Sequence, residues 1–331
     1  MAEIREATQA DNDALIDLEL HSPLDLGDRT IVFDRSPNFF AHQEMQEHGR
    51  VLVAEEEGKL VAVVAGAWQD VMIDGNRRRL LYVHQGRTLP EHRREHVATD
   101  LVIRNFLLAR EENVETPYWL ISPDNGTSLA FNRQIEVESW PVDGRIDNFD
   151  VTARRPAGSN VGAVGPDDLP RALELINETH RGRELFLPYT AESLRRRLQQ
   201  SPGYSWQHWR GYRSRQGLVA VAGMWDFDRS LRITESSKSG DSVHVSVPAL
   251  VLDYGYRQGA EEAMVEVFMA LMEAAAQAER NELWIALPVE RRLYSLMVEL
   301  PHSTTLFQIL TPSIPAPKEI TASVYLDPVY V

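Results

Sequence analysis

Apolar positions along the chain fall into short blocks with two different periods. Glu3 to Ala7 reads as a strand and Asp11 to Glu19 as a helix, while Val51 to Glu55 and Leu60 to Val71 suit a hairpin across Glu56-Glu57-Gly58. Leu80, Leu81, Tyr82 and Val83 follow the polar turn Asp74-Gly75-Asn76 and open a strand that runs to about Thr88 and stops before Pro90. Beyond it Val97, Ala98, Leu101, Val102, Ile103, Phe106 and Leu107 have helical spacing, which predicts a helix beginning near Arg93 or Arg94. Tyr118 to Ser122 (strand), Asn125 to Gln134 (helix) and Ile146 to Ala153 (last strand) complete a first unit. Arg154 to Asn160 has linker composition, and the chain then starts again. Val161 to Val164 and Gly165-Pro166-Asp167-Asp168 lead into a helix from Leu169 to Asn177, repeating the phrase of Glu3 to Leu20. Leu218 to Phe227 with Leu231 to Glu235 suit a hairpin, Val243 to Asp253 a long strand, Glu261 to Glu279 a helix and Leu283 to Leu287 a strand. Thr305 to Thr311 and Ala322 to Leu326 are the closing strands. The pattern predicts an α/β (α+β) chain of two tandem units, 1–155 and 161–331, each a mixed, mostly antiparallel sheet flanked by helices.

The stretch from Leu81 to Leu101 carries the most chemistry, because Glu91, His92, Arg93, Arg94, Glu95 and His96 lie between the proline and the helix. The first amides of a helix have no internal partner and carry the positive end of its dipole, so they bind anions. Two arginines beside them add charge and forked donors, and a diphosphate would fit there. The plain alternative is a solvated helix start whose arginines pair with Glu91 and Glu95.

With the order β-α-β-β-β-α-β-α-β over the first 150 residues, this turn resembles the GCN5-related N-acetyltransferase (GNAT) superfamily. The family's cofactor loop reads Gln/Arg-x-x-Gly-x-Gly/Ala after Val-x-Pro; here Thr88-Leu89-Pro90 precedes Arg93-Arg94-Glu95-His96-Val97-Ala98. The proline, the leading arginine, the aliphatic residue and the final small residue are kept. His96 stands where the family prefers glycine, which lets the backbone approach phosphates closely; an imidazole there could crowd them or donate a hydrogen bond. The family also places an asparagine after its fifth strand and often a tyrosine seven residues later that protonates the departing thiolate. Asn125 matches the first, and Asn132 occupies the second without being able to give up a proton. Read by itself, Asn125 in Asp124-Asn125-Gly126-Thr127 is a turn followed by an N-cap. The second unit has lost more of the loop: within Asp253 to Ala260, if Gly259 takes the first glycine position, Tyr256 stands where Gln or Arg belongs.

The resemblance implies an N-terminal acetyltransferase domain over 1–155, with acetyl-CoA as co-substrate, and a degenerate acetyltransferase-like domain over 161–331 that helps shape the acceptor pocket. The diphosphate is expected on the amides of Arg93, Arg94, Glu95, His96, Val97 and Ala98, and the pantetheine arm along Gly86, Arg87 and Thr88, close to Asn125. A primary amine of a small molecule or peptide would attack the thioester directly. His84 is the candidate base, because it lies on the strand nearest the thioester and an imidazole titrates near neutrality; a core or surface histidine is the plain reading. Glu19, Glu44 and Glu47 are weaker options in the segment that forms the family's acceptor wall.

Composition narrows this further. The 331 residues suffice for two cores, and 34 Lys+Arg against 49 Asp+Glu leave a net charge of -15, which disfavours nucleic acid and anionic membranes. With no cysteine, disulfides, thiolate metal sites and a cysteine acyl-enzyme are excluded. A polar start and the lack of an apolar run of roughly 18 residues make the cytoplasm the expected compartment, and no metal is expected. Oligomeric state is left open.

Two other classes fit some of the residues. His92-Arg93-Arg94-Glu95-His96 matches the inverted zinc-protease signature His-x-x-Glu-His. An acetyltransferase fold that binds a metabolite or partner without chemistry would explain His96, Asn132 and the eroded second unit. The stripe Met264, Phe268, Leu271, Met272 and Ala275 reads as core, Arg195-Arg196-Arg197 as a solvated face, and Trp206, Trp209 and Trp225 as pocket lining or buried interface.

Overall fold

The computed structural model describes residues 2–134, 138–312 and 324–328. The first half runs β1 (Glu3–Glu6), α1 (Asn12–Leu20), β2 (Leu24–Asp25), β3 (Arg29–Asp34), α2 (Ala41–Glu44), β4 (Gly49–Glu56), β5 (Lys59–Ile73), β6 (Asn76–Thr88), α3 (Val97–Arg110), β7 (Thr116–Ile121), α4 (Gly126–Gln134) and β8 (Glu138–Asp150). The second runs β9 (Val161–Ala163), α5 (Leu169–His180), α6 (Ala191–Gln200), β10 (Trp209–Ser214), β11 (Gly217–Trp225), β12 (Arg232–Ser237), β13 (Val243–Ser246), β14 (Pro248–Tyr256), α7 (Glu261–Gln277), β15 (Glu282–Ile285), α8 (Arg292–Met297) and β16 (His302–Thr311). The hairpins β4–β5 and β5–β6 turn on Glu57-Gly58 and Asp74-Gly75, whose φ values of 51, 79, 49 and 72° are the left-handed pair that matches strand twist. Among the described residues no helix is long and apolar enough to cross a membrane.

Two separate sheets were expected, but a single sheet of twelve strands joins the halves in the order β1-β4-β5-β6-β7-β16-β8-β15-β14-β11-β10-β9. The closing strands are exchanged. β16, from the end of the chain, inserts between β7 and β8 of the first half, while β8 pairs with β15 of the second. A smaller sheet, β13-β12-β3-β2, ties the halves together again, with β3 and β12 antiparallel from Arg29↔Ser237 to Asp34↔Arg232.

Several elements depart from expectation for local reasons. α3 starts at Val97, not at Arg93 or Arg94, because Arg94 and His96 take φ of 72 and 64° and interrupt the helical path. Gly217–Trp225 does not form a hairpin with Arg232–Ser237: the first pairs with β10 and β14, and the second crosses into the small sheet. The long strand from Val243 is broken at Val247, ahead of Pro248, which has no N–H for the ladder. The last strand of the first half begins and ends earlier than Ile146 to Ala153, and Val151–Ala153 is a 3-10 turn. Ala322 and Ser323 of the other closing strand lie outside the described residues, and Val324 to Leu326 form no strand.

Two of the hydrophobic clusters pack α3 and α7 onto the sheet. Leu52, Ala62, Val64, Leu81 and Val83 pack under Leu101 and Ala109 of α3. Met264, Phe268, Leu271, Met272 and Ala275 of α7 are each 0% exposed, which confirms the stripe as core; burial of such side chains contributes roughly 1.5–3 kcal/mol each. Trp209 and Trp225 are fully buried in the second half, though Trp225 also reaches His42 of α2 with ring centroids 6.3 Å apart. Arg197 is not on a solvated face: it is buried between Asp253 and Asp327, whose charges hold its guanidinium ionised against the cost of burial.

Candidate functional site

β6 and β7 run parallel and pair only from Leu80↔Thr116 to Tyr82↔Tyr118. Past Tyr82 the two strands separate, and the edge of β6 from Val83 to Thr88 is left open on that side. On its other side β6 carries a bulge. The register with β5 passes from Val63↔Arg87 to Ala65↔His84, so three steps on β6 oppose two on β5, and Gln85 takes φ 51° at this point. The extra residue bends the strand and re-aims its backbone groups. Gly86 is exposed here, and a Cβ added to it would touch only Val64, at 4.0 Å.

The wedge between the strands opens into a cleft of about 1620 Å³. Of the residues expected to hold cofactor, Gly86, Arg87, Thr88, Arg93, Arg94, His96, Val97, Ala98 and Asn125 line it, as do His84 and Asn132; Glu95 does not. The second half, together with β8, supplies the far wall. Trp284 and Glu282 of β15, Asn148 of β8, and Ser303 and Thr305 of β16 lie on one sheet face, because Trp284 and Ser303 are both register partners of Asn148. Phe33 and Ile233 of the small sheet close the opposite side.

The basic turn keeps its cations available. Arg93 reaches only the carbonyls of Thr88 and Pro23, each at 3.4 Å, and Arg94 makes no hydrogen bond or ion pair with a described residue. Glu95 pairs instead with His92 at 3.1 Å, so the arginines do not pair with Glu91 or Glu95 as the plain alternative required. His96 precedes α3 in the left-handed conformation and makes no capping bond with its side chain. Glycine adopts that conformation without a Cβ penalty, which is a backbone reason for the family's preference at this position. The amides of Val97 and Ala98 open the helix with no intrahelical acceptor.

Other candidates are committed elsewhere. The Asn125 side-chain oxygen accepts from Ser128 N at 3.0 Å and so begins α4 as a cap. The Asn132 amide donates back to Ser128 O at 2.8 Å, and its own oxygen is buried without a partner. Glu44 is bonded to Gln9, and Glu47 to Arg196 on the surface. His92 sits in a 3-10 turn and His96 outside the helix, so the zinc signature lacks its helical face; among the described residues no group of three or more His, Cys, Asp or Glu could hold a metal.

A buried polar cluster lies behind the bulge, and its members carry no recognisable spacing in the sequence. Glu19, Arg35, His42, Gln43, Gln46 and Gln85 are each at most 8% exposed. Glu19 pairs with Arg35 at 3.0 Å, Gln85 bonds Gln43, and Arg35 and Arg87 stack on Phe33 at 5.5 and 5.0 Å. His84 stands in front of this cluster, and burial holds its pKa well below the ordinary imidazole range, helped by the charges of His42 and Arg35. Burial likewise lowers Arg87.

Residues 3–121 match the family model described as Acetyltransferase (GNAT) domain. That segment is similar to a GNAT domain. No curated protein sequence matches it. Among solved structures, Saccharomyces cerevisiae N-myristoyltransferase with bound myristoyl-CoA is similar at TM-score 0.68 and 9% identity, over 96% of this chain and 84% of that one. The same yeast protein with myristoyl-CoA and inhibitors gives 0.66 and 9% over 100% and 83%. A protein from Enterococcus faecalis V583 described as a probable N-acyltransferase gives 0.51 and 10% over 94% and 72%. These matches span both halves, so the joined architecture is shared and not only the GNAT domain. The family match thus covers the first 121 residues, and the likeness to the solved structures extends to the fold of both halves.

Proposed function

We propose that the chain is an N-acyltransferase that takes an acyl group from a CoA thioester and passes it to a primary amine held between the halves. The observation that carries this is the open β6 edge at Gly86 to Thr88 leading to unpaired cations and free amides at the start of α3, all within one cleft. The residues fit the group. Arg93, Arg94 and the amides from Glu95 to Ala98 would hold a diphosphate, and Gly86 to Thr88 would accept an extended amide arm as an added strand. When bound, the thioester supplies an activated acyl carbon.

The chain's own part is to orient, exclude water and move one proton. His84, neutral at physiological pH, is the base for the acceptor amine. Isoleucine and aromatic side chains of both sheets, Ile31, Phe33, Ile233 and Trp284, exclude water beside it. Acetyl is our first assignment for the acyl group; the yeast neighbours bind myristoyl-CoA, which makes a longer chain the second.

Calorimetry with acetyl-CoA and myristoyl-CoA tests the binding step and ranks the two. Release of CoA thiol in the presence of primary amines tests the transfer. Failure of both thioesters to bind at millimolar concentration ends the proposal. Binding without thiol release for any amine favours the inactive-binder reading, which the committed side chains of Asn125 and Asn132 support.

A further inference from the structure

A second cavity, of about 310 Å³, lies in the second half and shares no lining residue with the cleft. It forms where four elements meet. Tyr256 ends β14, Glu178 lies in the last turn of α5 with Arg181 just beyond it, Gln258 and Glu261 lead into α7, and Arg291 stands at the start of α8. The Thr179 hydroxyl donates to Tyr256 O at 3.1 Å and accepts from Tyr256 N at 2.8 Å, which pins the end of α5 to the end of β14. A cavity of this size is at the small end of those that hold ligands.

Its polar groups lack partners. Tyr256 is 6% exposed, and its hydroxyl makes no hydrogen bond with a described residue. Arg291 and Glu261 lie close enough for their charges to act on that hydroxyl, which places it at the cavity; burial pushes the phenol up to about 12, so it remains a donor at physiological pH. A buried hydroxyl left unpaired is costly, and a ligand oxygen would satisfy it. The side chains of Arg181 and Arg291 make no hydrogen bond or ion pair with a described residue, and neither does that of Glu178, three residues before Arg181. Glu261 accepts only from Gly259 N, at 3.3 Å. Two cations and two anions thus surround one cavity without pairing with each other.

The helices add the same duality, since α5 ends at the cavity with its carbonyls and α7 begins there with its amides. A simple anion would face both glutamates, and a simple cation both arginines. A molecule carrying one carboxylate and one ammonium matches both signs. We propose that this cavity binds a free α-amino acid, with its carboxylate held by Arg181, Arg291 and the Tyr256 hydroxyl and its ammonium held by Glu178 and Glu261. The site is independent of the acyl-transfer reading, because none of its residues reaches the cleft.

Thermal melts of the full chain with millimolar amounts of each common L-α-amino acid test this, beside propionate, ethylammonium and inorganic phosphate. At least one amino acid should raise Tm by about 1–3 °C, while the three partial probes leave it unchanged. Tyr256→Phe keeps the ligand-free Tm, because its hydroxyl has no partner to lose, and weakens amino-acid binding by about threefold or more; Arg291→Ala weakens it by about tenfold or more. Titration with acetyl-CoA should be the same in both variants as in wild type. A chain that no amino acid stabilises overturns the proposal, as does a shift with propionate or phosphate alone. So does an amino acid that binds both variants as tightly as wild type, since it would then be held elsewhere in the chain.

Discussion

Replacing His96 by glycine should make the molecule more stable without weakening its hold on a CoA thioester. His96 sits at φ 64°, ψ 2° directly before α3; its carbonyl accepts from Asp100 N at 3.0 Å, and its side chain makes no hydrogen bond or ion pair with a described residue. A left-handed backbone costs a residue with a Cβ roughly 1–2 kcal/mol. Glycine removes that cost but gives back roughly 0.5–1 kcal/mol as extra freedom of the unfolded chain. The net gain is roughly 0.5–1 kcal/mol, which in a chain of this size raises Tm by about 1–3 °C. His96→Val works in the opposite direction, because a β-branched side chain in the left-handed region carries the full penalty, and Tm should fall by about 2–5 °C. Scanning calorimetry reads both shifts, and titration with acetyl-CoA should give equal or tighter binding for His96→Gly. A glycine variant that melts below wild type, or that binds the thioester more than about tenfold less tightly, would refute the reasoning, since the imidazole would then be contributing an interaction of its own.

Arg93→Ala and Arg94→Glu should each weaken thioester binding by about 1–3 kcal/mol, more at low salt than at high, and Arg94→Glu should leave Tm unchanged because Arg94 has no partner to lose. Equal affinity in both variants would place the diphosphate elsewhere. Gly255→Ala should cost about 3 kcal/mol or more, because the added Cβ would stand 2.3 and 2.4 Å from backbone atoms of Ile176 and Leu175, which cannot rotate away; a melting curve like that of wild type contradicts this close approach of α5 to β14. His84 is half-buried and His180 buried, and both have pKa values held well below the ordinary range, in each case by loss of solvation first. Below about pH 6.5 the unfolded chain therefore binds protons that the folded chain does not, and stability should fall by about 1.4 kcal/mol per pH unit for each group as the pH drops toward the folded-state pKa values. Urea unfolding between pH 8 and 5 measures this, and a flat profile below 6.5 would show that the two rings are not held neutral.

What could be read in the sequence was local. The strand at Leu80 to Thr88, the helix from Val97 and the basic turn between them are neighbours in the chain, and their periodicity and charge survive without an alignment. The departures follow from contacts distant in sequence. Nothing in Thr305 to Thr311 says that its strand partners are Trp119 to Ile121 and the segment from Glu138 to Ile146, about 160 to 190 residues earlier, so the exchange of closing strands and the shared cleft were out of reach. Arg35, His42 and Gln46 come from a segment with mixed polarity and no period, and they are brought to His84 by folding alone. His96 is the opposite case: the letter alone marks a departure from the family pattern, and only the backbone angle explains why glycine is preferred there and how histidine is accommodated.

The two halves also explain each other. β14 and β15 pair in parallel from Pro248↔Glu282 to Leu250↔Trp284 and then separate, as β6 and β7 do after Tyr82. Four residues past the last paired position the first half has Gly86 and the second has Tyr254. The Tyr254 ring is buried against Phe268 and His180, and its hydroxyl donates to Ala286 O at 3.0 Å, joining the separated strands across the gap. An added strand has nowhere to lie there. Arg257 and Gly259 therefore sit beside a wedge already filled by protein. The first half keeps its wedge open because the wall it needs comes from β15 and β16 of the other.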